Sequence, residues 1–87
     1  MMKWSLQEKK SILKNLRTLP ANVVEIYAVA REDLQALGPV PKGWDVRKID
    51  VNEYRLRLNY RYRIRYLVDE GIKIISITYL GHRKDAY

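Results

Sequence analysis

Apolar and polar positions alternate with a period of two through much of the second half of the chain. Along Tyr54-Arg55-Leu56-Arg57-Leu58 and again along Tyr62-Arg63-Ile64-Arg65-Tyr66, apolar side chains exchange with arginines. This pattern predicts two strands that share one apolar and one cationic face. A three-residue loop, Asn59-Tyr60-Arg61, sets Leu58 opposite Tyr62, Arg57 opposite Arg63, Leu56 opposite Ile64, Arg55 opposite Arg65 and Tyr54 opposite Tyr66. A two-residue loop would put arginines against Tyr62 and Ile64, because a slip of one residue inverts every side chain. Burial therefore selects the odd loop, although it has no glycine for a left-handed position and a longer irregular loop fits as well.

Further along, Glu70-Gly71 predicts a tight turn into a β-branched strand over 72–80. With that two-residue turn, Tyr66 faces Ile75, Ile64 faces Ile77 and Tyr62 faces Tyr79. Arg63 then stands near Thr78 and Arg65 near Ser76, so both hairpins agree on the polar face.

The first half has helical spacing. Ser5 followed by Glu8 is a capping-box pattern, which predicts a helix from there to about Leu19, stopped by Pro20. Leu6, Ile12, Leu13 and Leu16 form its apolar side, and Lys9, Lys10, Lys14 and Arg17 its wet side. A second helix begins at Pro20 and carries Val23, Tyr27, Ala30, Leu34 and Leu37 before Gly38-Pro39 end it. Its stripe reads as a lid over the sheet. After a turn-rich loop, a strand over 44–50 has Val46, Lys48 and Asp50 on one side and Arg47, Ile49 and Val51 on the other, with Trp44 read as a core plug.

The chain of 87 residues has room for one core, so 1–87 is read as a single α+β domain: an antiparallel helical hairpin packed on a small, mainly antiparallel sheet. Lys+Arg outnumber Asp+Glu by 17 to 10, a net charge of +7 that points to a polyanionic partner. Clustering the arginines sharpens this. Each like-charged cross-strand pair costs a few tenths to about 1 kcal/mol, so keeping them together implies an anion that neutralises them. With no cysteine and one histidine, His82, the sequence excludes disulfides, thiolate zinc sites and cysteine nucleophiles, and no metal or other cofactor is expected. No apolar run reaches the ~18–20 residues of a membrane span and no signal-peptide core is present, so a cytoplasmic protein is expected.

Three segments in order, Tyr54-Arg-Leu-Arg-Leu, Tyr62-Arg-Ile-Arg-Tyr and the terminal Gly81-His-Arg-Lys-Asp-Ala-Tyr, resemble the RelE-like branch of the RelE/ParE superfamily of toxin–antitoxin toxins. The resemblance covers residues 47–87 in sequence and the whole chain in element order. It implies a ribosome-dependent endoribonuclease that cuts messenger RNA by attack of a 2′-hydroxyl on the adjacent phosphate, without a metal. In that family's pattern Arg63 and Arg83 fall on the two catalytic arginine positions, as charge stabiliser and proton donor, and Tyr87 on the terminal tyrosine that stacks on or orients a nucleotide. Fixed guanidinium groups suit a phosphorane-like transition state.

Two departures from the family pattern stand out. Arg55 and Arg57 occupy positions where the pattern has lysines, one of them a proposed base, and arginine is a poor proton acceptor. His82 is the better base by intrinsic pKa, and a structural role stands beside that reading. The family's first strand is expected to be short or missing here, leaving an edge for strand addition. Arg55, Arg57, Arg65, Lys48 and Lys84 are the expected RNA-backbone contacts. The implied partners are an acidic antitoxin, the ribosome with its messenger RNA, and operator DNA only through the antitoxin complex. A ParE-like gyrase poison and a non-enzymatic nucleic-acid or ribosome-binding module are the alternatives.

Overall fold

The computed structural model describes residues 4–82, in the order β1 (Ser5–Glu8), α1 (Lys10–Leu16), α2 (Ala21–Leu37), β2 (Val46–Asp50), β3 (Glu53–Arg57), β4 (Tyr62–Asp69) and β5 (Ile74–His82). The strands form one five-stranded sheet in the order β1-β5-β4-β3-β2. Neighbours are antiparallel except β1, which lies parallel to β5. None of the described helices is long and apolar enough to cross a membrane.

The first expectation to be corrected concerns Ser5–Glu8. These residues do not cap a helix; they form β1, paired from Ser5 opposite Ile74 to Glu8 opposite Ile77. α1 starts later and is shorter than expected, at Lys10–Leu16. The first strand is therefore present though short, and it covers the edge of β5 that was expected to lie open; β1 and β2 are the outer strands. β1 is also tied to α2 on the helix side. The Tyr27 hydroxyl donates to the Glu8 carboxylate, and Arg31 Nη2 lies 3.3 Å from Glu8 Oε1. Burial, with the adjacent Glu8 carboxylate, pushes the Tyr27 phenol far above its ordinary value.

α2 follows its expected stripe. Val23, Tyr27, Ala30 and Leu34 are buried against Leu56, Ile64, Tyr66, Ile75 and Ile77 of the sheet. Each such aliphatic side chain contributes roughly 1.5–3 kcal/mol on burial. The stripe is narrower than the sequence implied, because Leu37 is 59% exposed; on α1, Leu13 of the expected apolar side is likewise 52% exposed. Trp44 packs at the core's margin, as expected of a plug, and donates from Nε1 to Asp33 at 2.8 Å. Gly38, at φ +97°, ends α2 where the Trp4 indole closes over it; a Cβ there would sit 3.0 Å from Trp4 Nε1.

The first hairpin has the expected register, with Tyr54 opposite Tyr66, Arg55 opposite Arg65, Leu56 opposite Ile64 and Arg57 opposite Arg63. Leu58 donates its N–H to the Tyr62 carbonyl, which closes the loop around residues 59–61. The missing glycine is compensated by Asn59, whose side-chain oxygen accepts the N–H groups of Arg61 and Tyr62, each at 2.9 Å.

The second hairpin differs from the expectation. Asp69 pairs with Ile74, so residues 70–73 form the loop, with Lys73 at φ 55° and the Asp69 carboxylate accepting the Gly71 and Ile72 N–H groups. Tyr66 faces Ile77 rather than Ile75. The register then shifts between Arg65 and Tyr66, so that Arg65 faces Tyr79, Ile64 faces Leu80 and Arg63 faces Gly81. Arg63 and Arg65 thus have Gly81 and Tyr79 as partners, not Thr78 and Ser76. The extra residue in β5, Thr78, is a bulge that lets the strand keep Ile77 and Leu80 in the core.

Candidate nucleic-acid interface

The helices cover one face of the sheet; the other carries the arginines. Reading across strands, Arg47 pairs with Arg55, Arg55 with Arg65 and Arg65 with Tyr79. In the adjacent row Arg57 pairs with Arg63 and Arg63 with Gly81, while Arg57 donates its N–H to the Asp45 carbonyl at 3.0 Å. In the next row on the far side Glu53 pairs with Leu67 and Leu67 with Ser76. Alternation in β3 and β4, read through the paired register, is what sets Arg55, Arg57, Arg63 and Arg65 on one surface.

These guanidinium groups are not equivalent. Arg63 is 3% exposed, and its Nη1 donates to the carbonyls of Asn59 at 2.8 Å, Tyr62 at 3.2 Å and Tyr60 at 3.3 Å. It therefore braces the hairpin loop from below. Arg57 and Arg47 both reach Asp45, at 3.5 and 4.0 Å through Nε, and Arg65 Nε lies 3.6 Å from Glu53 Oε2. Part of the counter-charge inferred from the sequence is thus internal. Asp45 and Glu53 were not among the residues expected on this face. Their parity was available, since Glu53 shares it with Arg55 and Arg57, and Asp45 with Arg47.

Tyr79 lies across Gly81. A Cβ on Gly81 would collide with the Tyr79 hydroxyl, whose own bond runs to the His82 carbonyl at 3.4 Å. The glycine thus keeps the row that ends at Arg63 open enough for an aromatic ring.

His82 and Lys48 stand elsewhere. His82 pairs with Tyr62 on the helix side of β5, its ring edge-on to the tyrosine at 5.6 Å between centroids. It lines a cleft of about 430 Å³ between the start of α2, at Pro20, Asn22 and Val23, and the 59–61 loop. Lys48 pairs with Tyr54, also on the helix-side face, with its Nζ 6.0 Å from the ring centroid. The structure therefore brings Arg55, Arg57, Arg63 and Arg65 together and keeps Lys48 and the His82 ring off that surface. Arg83, Lys84 and Tyr87 lie outside the described residues. Among the described residues no three His, Asp or Glu side chains gather closely enough to hold a metal ion.

Comparison with known proteins places this geometry among relatives. No model of a protein family matches the sequence. RelE1 of Methanocaldococcus jannaschii, described as a toxin, is 29% identical over 89 aligned positions that cover 99% of this chain and 97% of that protein. Among solved structures, the archaeal RelE–RelB complex from Pyrococcus horikoshii contains a chain that superposes with a TM-score of 0.85 at 28% identity, covering 94% of this chain and 97% of the other. The RelB–RelE antitoxin–toxin complex from Methanococcus jannaschii gives 0.78 at 25% identity, covering 93% and 94%.

Proposed function

Because the chain belongs to the RelE family of toxin–antitoxin toxins, we propose that it is an endoribonuclease that cuts messenger RNA on the ribosome and so inhibits translation. The observation that supports this most is the co-facial register of Arg55, Arg57, Arg63 and Arg65. Cleavage by attack of a 2′-hydroxyl on the adjacent phosphate forms a new O–P bond, breaks the bond to the 5′ oxygen and leaves a cyclic phosphate and a 5′-hydroxyl. One proton leaves the attacking oxygen and one reaches the departing oxygen. Between these states negative charge concentrates on the phosphoryl oxygens, and preorganised guanidinium groups stabilise it.

The residues divide the work in this reading. Arg55 and Arg57 hold the phosphate and carry charge, not protons, since arginine stays protonated at neutral pH. Arg63, held by three loop carbonyls, supplies a fixed cation beneath the reacting group, and RNA entry opens the surface over it. Arg83 donates the proton to the leaving oxygen and Tyr87 stacks on a nucleotide. The proton of the attacking hydroxyl passes to solvent, because the His82 ring lies on the helix side of β5 against Tyr62 and keeps the structural role that stood beside its reading as a base. Arg65 and Lys84 bind the flanking backbone, and Lys48, on the helix-side face over Tyr54, has no part in it.

The partner in this reading is an acidic antitoxin that neutralises the arginine face, in keeping with relatives solved as RelE–RelB complexes. Operator DNA is bound only through that complex.

The test is end-group analysis of a defined message incubated with the protein and translating ribosomes in the presence of a chelator that spares ribosomal magnesium. Fragments with 5′-hydroxyl and cyclic-phosphate ends support the proposal. Intact message together with broken DNA in poisoned cells would replace it with the gyrase reading.

A further inference from the structure

Asp45 and Glu53 are the carboxylates that interrupt the arginine face, and both occupy defined places in its rows. The Asp45 carbonyl accepts the Arg57 N–H, which fixes the residue beside Arg57 on the neighbouring strand. From there one carboxylate serves two guanidinium groups, with Oδ2 3.5 Å from Arg57 Nε and Oδ1 4.0 Å from Arg47 Nε. Glu53 sits in the row beyond Arg55, with Oε2 3.6 Å from Arg65 Nε. Arg65 Nε is buried and has no hydrogen-bond partner among the described residues.

These pairs have a particular character. All three run through Nε at separations longer than a hydrogen bond, so none is the two-pronged contact that a guanidinium makes with a phosphate. Arg57 and Asp45 are also each 47% exposed, where solvent and salt weaken an ion pair. Such contacts hold the arginines in place and yield readily to a better anion. They also reduce the attraction of the face for any anion that arrives without further anchorage.

We propose that Asp45 and Glu53 are built-in competitors for the RNA backbone, which suppress binding of unanchored RNA by a protein of net charge +7 and reserve the arginine face for RNA presented with additional contacts. This rests on the ribonuclease reading above. The carboxylates occupy Arg47, Arg57 and Arg65 in the RNA-free protein and are displaced when a phosphate is positioned over the rows. Removing their charge exposes the face to every single strand.

The experiment measures binding of a fluorescent ten-nucleotide single-stranded RNA across a range of salt. It compares wild type, Asp45→Asn, Glu53→Gln, the double variant, Arg57→Ala and Glu25→Gln. Glu25 is exposed on α2, so its variant makes the same change in net charge away from the face. The double variant should bind roughly tenfold more tightly at low salt, and its log–log salt slope should steepen by about 1.4, or 0.7 per phosphate gained on a single strand. Glu25→Gln should leave the slope unchanged, and Arg57→Ala should make it shallower. Equal slopes for wild type and double variant, in protein that still cuts translated messages, overturn this inference alone. If no variant binds RNA and none cuts messages, the ribonuclease reading falls with it.

Discussion

Arg63 reaches back under its own hairpin to donate from Nη1 to the Asn59 carbonyl at 2.8 Å. The same nitrogen also serves the Tyr60 and Tyr62 carbonyls, so a cation in the site is also part of the loop's support. Arg63→Met, which keeps the aliphatic volume and removes the donors, should lower stability by about 1.5–3 kcal/mol, the range for hydrogen bonds to a charged group. Arg57→Ala, at an exposed position, should cost under about 1 kcal/mol. Urea unfolding of the two variants checks the contrast, and equal losses would mean that Arg63 does not brace the loop.

The Tyr27–Glu8 contact makes alkaline stability a test of how β1 is held. Burial raises the phenol pKa of Tyr27, and burial also raises that of Tyr66, whose ring stacks on Tyr54 at 5.8 Å. A phenol whose folded-state pKa is raised stabilises fully below its unfolded value of about 10, and that contribution is lost as pH rises above it. Unfolding free energy should therefore fall above about pH 10. In Tyr27→Phe the decline should be shallower by about 1.4 kcal/mol per pH unit, because one proton no longer links to unfolding. Urea titrations between pH 9 and 11 check this, and identical slopes would contradict it.

Gly81 and Tyr79 should be coupled. Adding a methyl group in Gly81→Ala drives the Tyr79 ring from its place, and a cost near the lower end of overpacking, about 1 kcal/mol, is expected. In Tyr79→Ala the same methyl group has room, so the cost of Gly81→Ala should largely vanish. A double-mutant cycle reads the difference directly, and additive costs would refute the contact.

The first hairpin was legible because alternation and burial leave one register. Leu56, Ile64 and Tyr66 are all fully buried, and any slip would have put arginines in their places. α2 was legible for the same reason. β1 was not, since Ser5-Leu6-Gln7-Glu8 satisfies a local helix-start pattern and becomes a strand only because β5, far along the chain, offers a parallel edge. The β5 bulge was equally hidden, because its cause is the joint burial of Ile77 and Leu80, which local alternation does not reveal. In the site, the shared face of the four hairpin arginines could be read from parity. The enclosure of Arg63 could not, because it depends on carbonyls of a loop whose shape Asn59 sets.

The central claim is cleavage of translated message by residues of the arginine face. Its most direct test is primer extension on a defined message in a translating extract, comparing wild type with Arg55→Ala/Arg57→Ala, Arg83→Ala and deletion of Tyr87. The expected result is new 5′ ends at in-frame codon positions, only during translation, strong with the wild type, reduced at least about 100-fold in the arginine variants, as for loss of a transition-state charge contact, and weakened on deletion of Tyr87. Undiminished cleavage by the Arg55→Ala/Arg57→Ala protein, or none by the wild type, would contradict it.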